Sequence, residues 1–211
     1  MSFWHGEIVE RSWRTLQELK RRYDFTLIGG WAIYLYTRAL KSKDIDIIVD
    51  FPILEKLKLE LGLKKNWRLR KYETLINEVE VDVYVPYFSN LGVPVEEIQR
   101  NLRIIEGFKV PKPEVLLILK QVAEAERSGS IKGRKDRLDI LALILNVELD
   151  WGNYTSLVSS YGLVEYARRL YKLVESTDDE LKILGMRDLR KIKKLKRSIL
   201  ERLREALAGS P

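Results

Sequence analysis

The stretch LIGGWA at residues 27–32, followed by KSKDIDII at residues 41–48, decides the fold of this chain. The first stretch predicts a short apolar strand over residues 25–28 that ends at two glycines and runs into a helix-forming segment. Glycine lets a phosphate approach the backbone without a Cβ in the way, and a helix start directs free N–H groups toward it. The second stretch is an apolar strand with two acids. Together they predict a phosphate and metal site on an α/β fold.

Asp44 and Asp46 fall on one face of that strand, predicted over residues 45–49, with Cα atoms about 7 Å apart. Asp82 is a third acid, on an apolar strand predicted over residues 79–85. Packed carboxylates repel one another and burial penalises their ionised forms, so such a face must meet water or cations. Two alternatives follow: an amphipathic strand whose acidic face is solvated, or a site for two Mg²⁺ ions, with Mn²⁺ as a substitute.

The composition excludes several other kinds of chemistry. The 211 residues contain no cysteine and one histidine, His5, so disulfides, thiol catalysis, cysteine zinc sites and multi-histidine metal sites are ruled out. A hydrophobic fraction of 45% argues against general disorder. The chemistry is therefore expected to depend on carboxylates, metal and lysine.

No apolar run approaches the roughly 20 residues that a membrane span needs, and we find no signal-peptide pattern. We expect a soluble, cytoplasmic protein. Abundant charge of both signs without cysteine is typical of a thermophile.

The pattern of elements predicts two domains. Residues 1–111 form an α/β (α+β) domain, and residues 112–211 form an all-helical domain that ends in a basic amphipathic helix. Beyond the strands above, we predict helices over residues 7–22, 31–39, 54–61 and 95–101, and strands over residues 67–75 and 102–110.

The net charge of +7 is concentrated at the end of the chain, where residues 186–211 carry 9 basic and 3 acidic residues. Apolar residues recur there at three- and four-residue spacing, which predicts an amphipathic helix: Met186, Leu189, Ile192, Leu195, Ile199, Leu203 and Ala206. Its basic face, within residues 187–204, is a solvated surface, a phosphate-binding surface for RNA or DNA, or a membrane surface. No aromatic residue interleaves the run, which argues against base stacking there.

In the order of its motifs the chain resembles the nucleotidyltransferase superfamily of the DNA polymerase beta type. Its hallmark is an apolar residue before two small residues, then two alternating acids and a later third acid, matched here by Ile28-Gly29-Gly30, Asp44-Ile45-Asp46 and Asp82. The resemblance implies a small mixed sheet flanked by helices. It also implies Mg²⁺-dependent transfer of a nucleotidyl group from an NTP to an acceptor hydroxyl.

The second half is similar to the AbiEii (abortive-infection, MenT-like toxin) branch, in which a helical part supplies a lysine, an arginine and a Lys/Arg-Asp-x-x-Asp motif. The matching residues are Lys120, Arg127 and Lys135-Asp136-x-x-Asp139, and Ser42 matches a small hydroxyl residue before the acids. Taken without the resemblance, Lys120 is equally compatible with a structural lysine that snorkels, and Asp136 and Asp139 with ordinary helix capping or surface pairing.

The resemblance implies a division of roles. Asp44, Asp46 and Asp82 would hold the metal, Gly29 and Gly30 would cradle the triphosphate, and Lys120 would contact it as a mobile positive charge. Ser42, Arg127, Asp136 and Asp139 would complete the nucleotide site.

The resemblance also implies an acceptor among tRNA, other RNA, a protein or a small molecule, with the basic helix favouring RNA. An antitoxin partner is implied as well. The alternatives are a catalytically silent fold that binds nucleotide or RNA, and a plain nucleic-acid-binding protein that depends on the last helix.

Overall fold

The structure is a computed structural model that describes residues 2–177, 179–186 and 188–208. The chain divides into two compact units, residues 1–112 and residues 113–211. The first unit contains a mixed sheet with flanking helices, and the described part of the second is helical. The α/β fold class followed by C-terminal helices is therefore confirmed.

The first unit is built on a seven-stranded sheet with the order β3-β4-β5-β2-β1-β7-β6. The strands are β1 Thr26–Ile28, β2 Ile45–Ile48, β3 Lys64–Asn66, β4 Lys71–Ile76, β5 Val79–Tyr84, β6 Leu102–Ile105 and β7 Phe108–Pro111. Strand β1 is antiparallel to β2 and parallel to β7, while β2 is parallel to β5. The two acid-bearing strands are therefore direct neighbours in the sheet.

The helices of this unit are α1 Ser2–Arg22, α2 Gly29–Thr37, α3 Phe51–Leu61 and α4 Val95–Arg100. Asp50 caps α3 by accepting a hydrogen bond from the Ile53 N–H at 3.0 Å. Trp31 of α2 is buried, and its Nε1 donates to Ser12 Oγ at 2.8 Å. Its indole is therefore part of the core and does not face a ligand.

Two of the predicted strands are right only in part, because each range includes a turn. Residues 67–70 form a turn between β3 and β4, in place of a single strand over residues 67–75. Likewise Glu106 and Gly107 reverse the chain between β6 and β7, in place of a single strand over residues 102–110. Both residues have positive φ, 51° and 75°, as tight two-residue hairpin turns require.

The second unit contains six helices in its described part. They are α5 Pro113–Glu126, α6 Ile131–Asn146, α7 Trp151–Ser160, α8 Val164–Ser176, α9 Asp179–Ile183 and α10 Leu189–Ala208. The apolar face of α10 turns Ile192, Ile199 and Leu203 inward. Leu189 at its first turn is 72% exposed, and Met186 precedes the helix.

Among the described residues, no helix combines the length and the apolar character needed to cross a bilayer.

Candidate functional site

The acids of β2 and β5 lie side by side on one face of the sheet. Asp46 and Asp82 are register partners in the parallel β2–β5 pair, and Asp44 lies in a bend just before β2. All three carboxylates are half-buried, while the residues between them on the strands point into the core. We call the side of the sheet that bears Asp46 and Asp82 the carboxylate face.

Gly29 brings the start of α2 against this face. Ile28 is the register partner of Asp46 in the β1–β2 pair, so Gly29 follows directly beside that carboxylate. A Cβ added at Gly29 would lie 2.1 Å from Asp46 Oδ2, and Gly29 has a positive φ of 66°. Both the contact and the conformation therefore require glycine. Gly30 follows as a buried residue inside α2.

Asp82 is held by a cation that the sequence did not predict. Lys71 Nζ lies 2.5 Å from Asp82 Oδ2 and 3.6 Å from Glu73 Oε2. Burial raises the pKa of Asp82 to about 6, and the neighbouring Asp46 adds to this effect, although the Lys71 ammonium works against it. A carboxyl group with such a pKa changes its protonation state close to neutral pH.

The turn between β4 and β5 explains why Lys71 and Glu73 reach Asp82. Asn77 and Glu78 both have positive φ, 50° and 63°, which makes a tight two-residue turn and fixes Glu73 opposite Asp82. Asparagine tolerates this conformation better than most residues, so Asn77 is the residue from which the sequence could have indicated this turn. Lys71 lies two residues before Glu73 on β4, so its side chain points to the same face of the sheet.

The donor set fits a hard divalent cation, although it does not form a closed cage. Within the described residues, no three histidine, cysteine, aspartate or glutamate side chains converge closely enough to hold a metal by themselves. Mg²⁺ commonly uses only one or two protein carboxylates and completes its shell with phosphates and water. Asp44 and Asp46 satisfy that requirement. Ser42 is buried two residues before Asp44.

The second unit brings together the residues of the helical motif. Lys120 Nζ lies 2.9 Å from Asp136 Oδ1 and 2.8 Å from Asp139 Oδ2, and all three side chains are buried. Arg127 Nη2 is 2.8 Å from Asp136 Oδ2, and Lys135 Nζ is 3.2 Å from Asp139 Oδ2. We call these five residues the Lys120 cluster.

Lys120 is a fixed ammonium group. Burial acts to lower the pKa of Lys120, but the carboxylates of Asp139 and Asp136 outweigh it and raise the pKa above its ordinary value. Its charge is committed to these two partners. The role of Lys120 as a mobile positive charge stays a prediction, and movement of Lys120 would leave two buried carboxylates without their main cation.

A local motif holds Arg127 beside α6. Ser130 caps that helix, accepting from the Gly133 N–H at 3.0 Å and donating to Arg127 O at 2.7 Å. A Cβ at Gly133 would lie 2.2 Å from Arg127 O, so glycine permits this close approach. The Arg127 side chain is 42% exposed, which makes it the most accessible cation of the cluster.

The basic face of α10 is partly engaged in contacts within the second unit. Lys196 Nζ donates to the carbonyls of Glu175 and Thr177 at 2.7 and 3.0 Å. Arg197 pairs with Glu201 at 2.8 Å, and Arg204 donates to the Tyr171 hydroxyl. A groove of about 760 Å³ runs along α10, and it is lined by Lys182, Leu189, Ile192, Lys193, Lys196, Arg197, Leu200, Glu201 and Arg204.

Comparison with known proteins gives likenesses of structure only. No family model and no curated protein matches the sequence. An antigenic nucleotidyltransferase-like protein from Paracoccidioides brasiliensis is 20% identical with a TM-score of 0.45, over 85% of this chain and 93% of that one. The protein JHP933 from Helicobacter pylori is 17% identical with a TM-score of 0.47, over 94% of this chain and 92% of its own. At these values, the activity of this chain has to be argued from its own residues.

Proposed function

We propose that this protein is a Mg²⁺-dependent nucleotidyltransferase, which transfers a nucleotidyl group from an NTP to an acceptor hydroxyl and releases pyrophosphate. The observation that carries the proposal is the packing of Asp46 against Gly29 at the start of α2, with Asp82 opposite on β5. The carboxylates that we assign to the metal lie beside a helix N-terminus, which suits a phosphate, and this proximity supports the proposal.

Each residue has a separate task in this proposal. Asp44 and Asp46 bind Mg²⁺, and Gly29 and Gly30 let the triphosphate approach the first turn of α2. When bound, the metal supplies positive charge to the reacting phosphate and to the departing pyrophosphate. With a pKa of about 6, Asp82 is mostly ionised at neutral pH, and we assign it to completing the metal site and to helping activate the acceptor hydroxyl.

The Lys120 cluster has a supporting task. Lys120 fixes Asp136 and Asp139, and this arrangement orients the more exposed Arg127 and Lys135. Arginine binds phosphate oxygens in a fork geometry, so Arg127 is the side chain of the cluster that we assign to nucleotide binding. This assignment follows the resemblance to the AbiEii branch. The same resemblance is the reason that we also propose an antitoxin partner.

The acceptor that the charge distribution favours is RNA. The basic face of α10 carries cations for which the described residues show no ion pair, including Arg190, Lys193 and Arg202. Such a face attracts a phosphate backbone through counterion release.

A catalytically silent fold that binds nucleotide is the second candidate, and one observation favours it. Lys71 already neutralises Asp82, and an inert protein would need such an internal cation in place of a metal. Calorimetry distinguishes the two: NTP binding with Mg²⁺ present but no turnover on any acceptor would favour the silent fold.

The direct test is Mg²⁺-dependent transfer of an α-labelled NTP to total RNA or tRNA. We expect Asp46→Asn to lower the transfer rate at least about 100-fold, which corresponds to roughly 3 kcal/mol of lost transition-state stabilisation. Asp24→Asn is the matched control, because Asp24 is an exposed carboxylate of the same unit that pairs only with Lys109 among the contacts of the described residues. Equal labelling by wild type and Asp46→Asn would refute the proposal.

A further inference from the structure

The turn between β3 and β4 carries an unusual combination of residues. Residues 64–71 read KKNWRLRK, with five basic residues of eight and no acid. We call Lys64, Lys65, Trp67, Arg68 and Arg70 the hairpin patch. Unlike the basic face of α10, this run has an aromatic residue inside it.

Trp67 is unusually exposed for its type. Its relative exposure is 72%, whereas Trp31 of the same unit is 1% exposed. Lys65 Nζ lies 3.6 Å from the centroid of the Trp67 ring, and Phe88 meets the ring edge-on at 5.7 Å. These contacts hold the indole in one orientation and leave most of its surface to solvent. An exposed aromatic ring inside a basic run offers a surface on which a base can stack.

The patch is also ordered by its own hydrogen bonds. The Leu69 N–H donates to Asn66 Oδ1 at 3.0 Å, and Arg70 Nε donates to Phe88 O at 2.8 Å. Neither Lys64 nor Arg68 forms an ion pair with any described residue. The turn therefore presents an exposed, packed ring within a run of basic residues, an arrangement that costs little entropy when a ligand binds.

We propose that the hairpin patch binds a single-stranded polynucleotide, with a base stacked on Trp67 and phosphates on Lys64, Arg68 and Arg70. In single-stranded nucleic acid the bases are open to stacking and the backbone is negative, which complements both parts of the patch. A second copy of this chain is disfavoured, because a two-fold contact would set cations against cations. An acidic protein would match the charge but gives no role to the fixed indole.

The hairpin patch is joined to the carboxylate face through the chain, although its ring lies on the other side of the sheet. Lys71, the first residue of β4 after the turn, contacts Asp82 directly. Lys65 and Tyr72 are register partners and alternate with Lys71 and Glu73, so the Trp67 ring packed on Lys65 lies on the other side of the sheet from the carboxylate face. A polynucleotide bound at Trp67 has to pass the edge of the sheet to reach Asp82. The inference rests on the proposed function in one respect, since it names a polynucleotide as the acceptor.

The test is fluorescence anisotropy of labelled 12-residue oligo-U RNA and oligo-dT DNA with the full chain, in EDTA and without NTP. We expect Trp67→Ala to bind about tenfold more weakly and Trp67→Phe to recover most of the affinity. Arg68→Gln should lower the dependence of log affinity on log salt by about 0.7. The matched control is Leu75→Ala, a 65% exposed apolar residue on β4 that should bind as wild type does. Thermal melts verify that each variant is folded.

Several outcomes would overturn the proposal. These are equal binding by Trp67→Ala and wild type, or equal losses by Trp67→Ala and Trp67→Phe. Loss only in an Arg190→Gln/Lys193→Gln variant would assign binding to α10 instead. A wild-type dimer that Trp67→Ala converts to a monomer, or capture of poly-glutamate without oligonucleotide binding, would identify a protein partner.

The same variants separate this inference from the proposed function. Asp46→Asn should keep its oligonucleotide affinity while losing transfer. If wild type binds through Trp67 but never transfers, the proposed function fails and the hairpin patch stands. If wild type transfers to RNA and Trp67→Ala binds RNA unchanged, the patch fails alone.

Discussion

Gly29 is the residue whose identity matters most in the proposed site. We expect Gly29→Ala to destabilise the protein by about 3 kcal/mol, because left-handed backbone strain adds to a clash with Asp46. Displacement of that carboxylate should also lower transfer at least about 100-fold. Urea unfolding and the labelled-NTP assay measure the two effects.

Gly62→Ala is the matched control for this prediction. Gly62 has nearly the same φ, 62°, but a Cβ there would have no atom within 4 Å. Gly62→Ala should destabilise the protein only through backbone strain, by about 1 kcal/mol, and should leave the transfer rate unchanged. Equal losses for the two variants would show that Gly29 serves the turn and not the carboxylate.

Asp82 should make stability depend on pH in the metal-free protein. Its pKa is raised from 3.8 to about 6, so between these values the folded state holds a proton that the unfolded state has lost. The contribution of Asp82 to the free energy of unfolding is therefore fully present below pH 4 and is lost as the pH rises through 6. Asp82→Asn should be more stable than wild type above pH 6, by roughly 3 kcal/mol, with little difference near pH 4. Urea unfolding from pH 4 to 8 tests this, and a difference that does not change with pH would contradict it.

At the scale of elements, α5 and α6 are joined by the Lys120 cluster. We expect Lys120→Met to cost about 3–5 kcal/mol, because it leaves Asp136 and Asp139 buried without their main cation. Lys135→Met is the control, since Lys135 meets the same Asp139 from a 38% exposed position and should cost about 1 kcal/mol or less. Similar losses in urea unfolding would remove the structural role of Lys120.

The elements also show how far the sequence was informative. Strands β1, β2 and β5 were predictable because each is an apolar run that ends at glycine or alternates with acids. The hairpins were missed because their turns use residues other than the usual Asn-Gly pair, such as Glu106-Gly107. The predicted strand boundaries are therefore wrong where charged residues in turns adopt left-handed conformations.

The sequence likewise predicted only some residues of the candidate site. Asp44, Asp46 and Asp82 stand out because acids on apolar strands need a partner. Lys71 was missed because its contact with Asp82 depends on the register of the β4–β5 hairpin, for which Asn77 is the main signal in the sequence. Which carboxylates Lys120 binds likewise depends on how two helices pack.

At the scale of the whole molecule, every described strand belongs to the first unit. We therefore expect residues 1–112 to fold alone, because their sheet needs no strand from the rest of the chain. Dispersed amide resonances and cooperative urea unfolding of this fragment would support the prediction. A random-coil spectrum would show that the sheet depends on the helical part.

The contact between Lys71 and Asp82 turns metal binding into a competition. A divalent ion that recruits Asp82 has to displace an ammonium group, so part of its affinity is consumed by that exchange. Lys71→Gln should then bind Mn²⁺ more tightly than wild type, measured by paramagnetic relaxation or calorimetry, while its metal-free form is less stable. Lys65→Gln, a change of equal charge on the neighbouring strand, should leave the metal affinity unaltered. The lysine would thus set how much free metal the protein needs before its site fills.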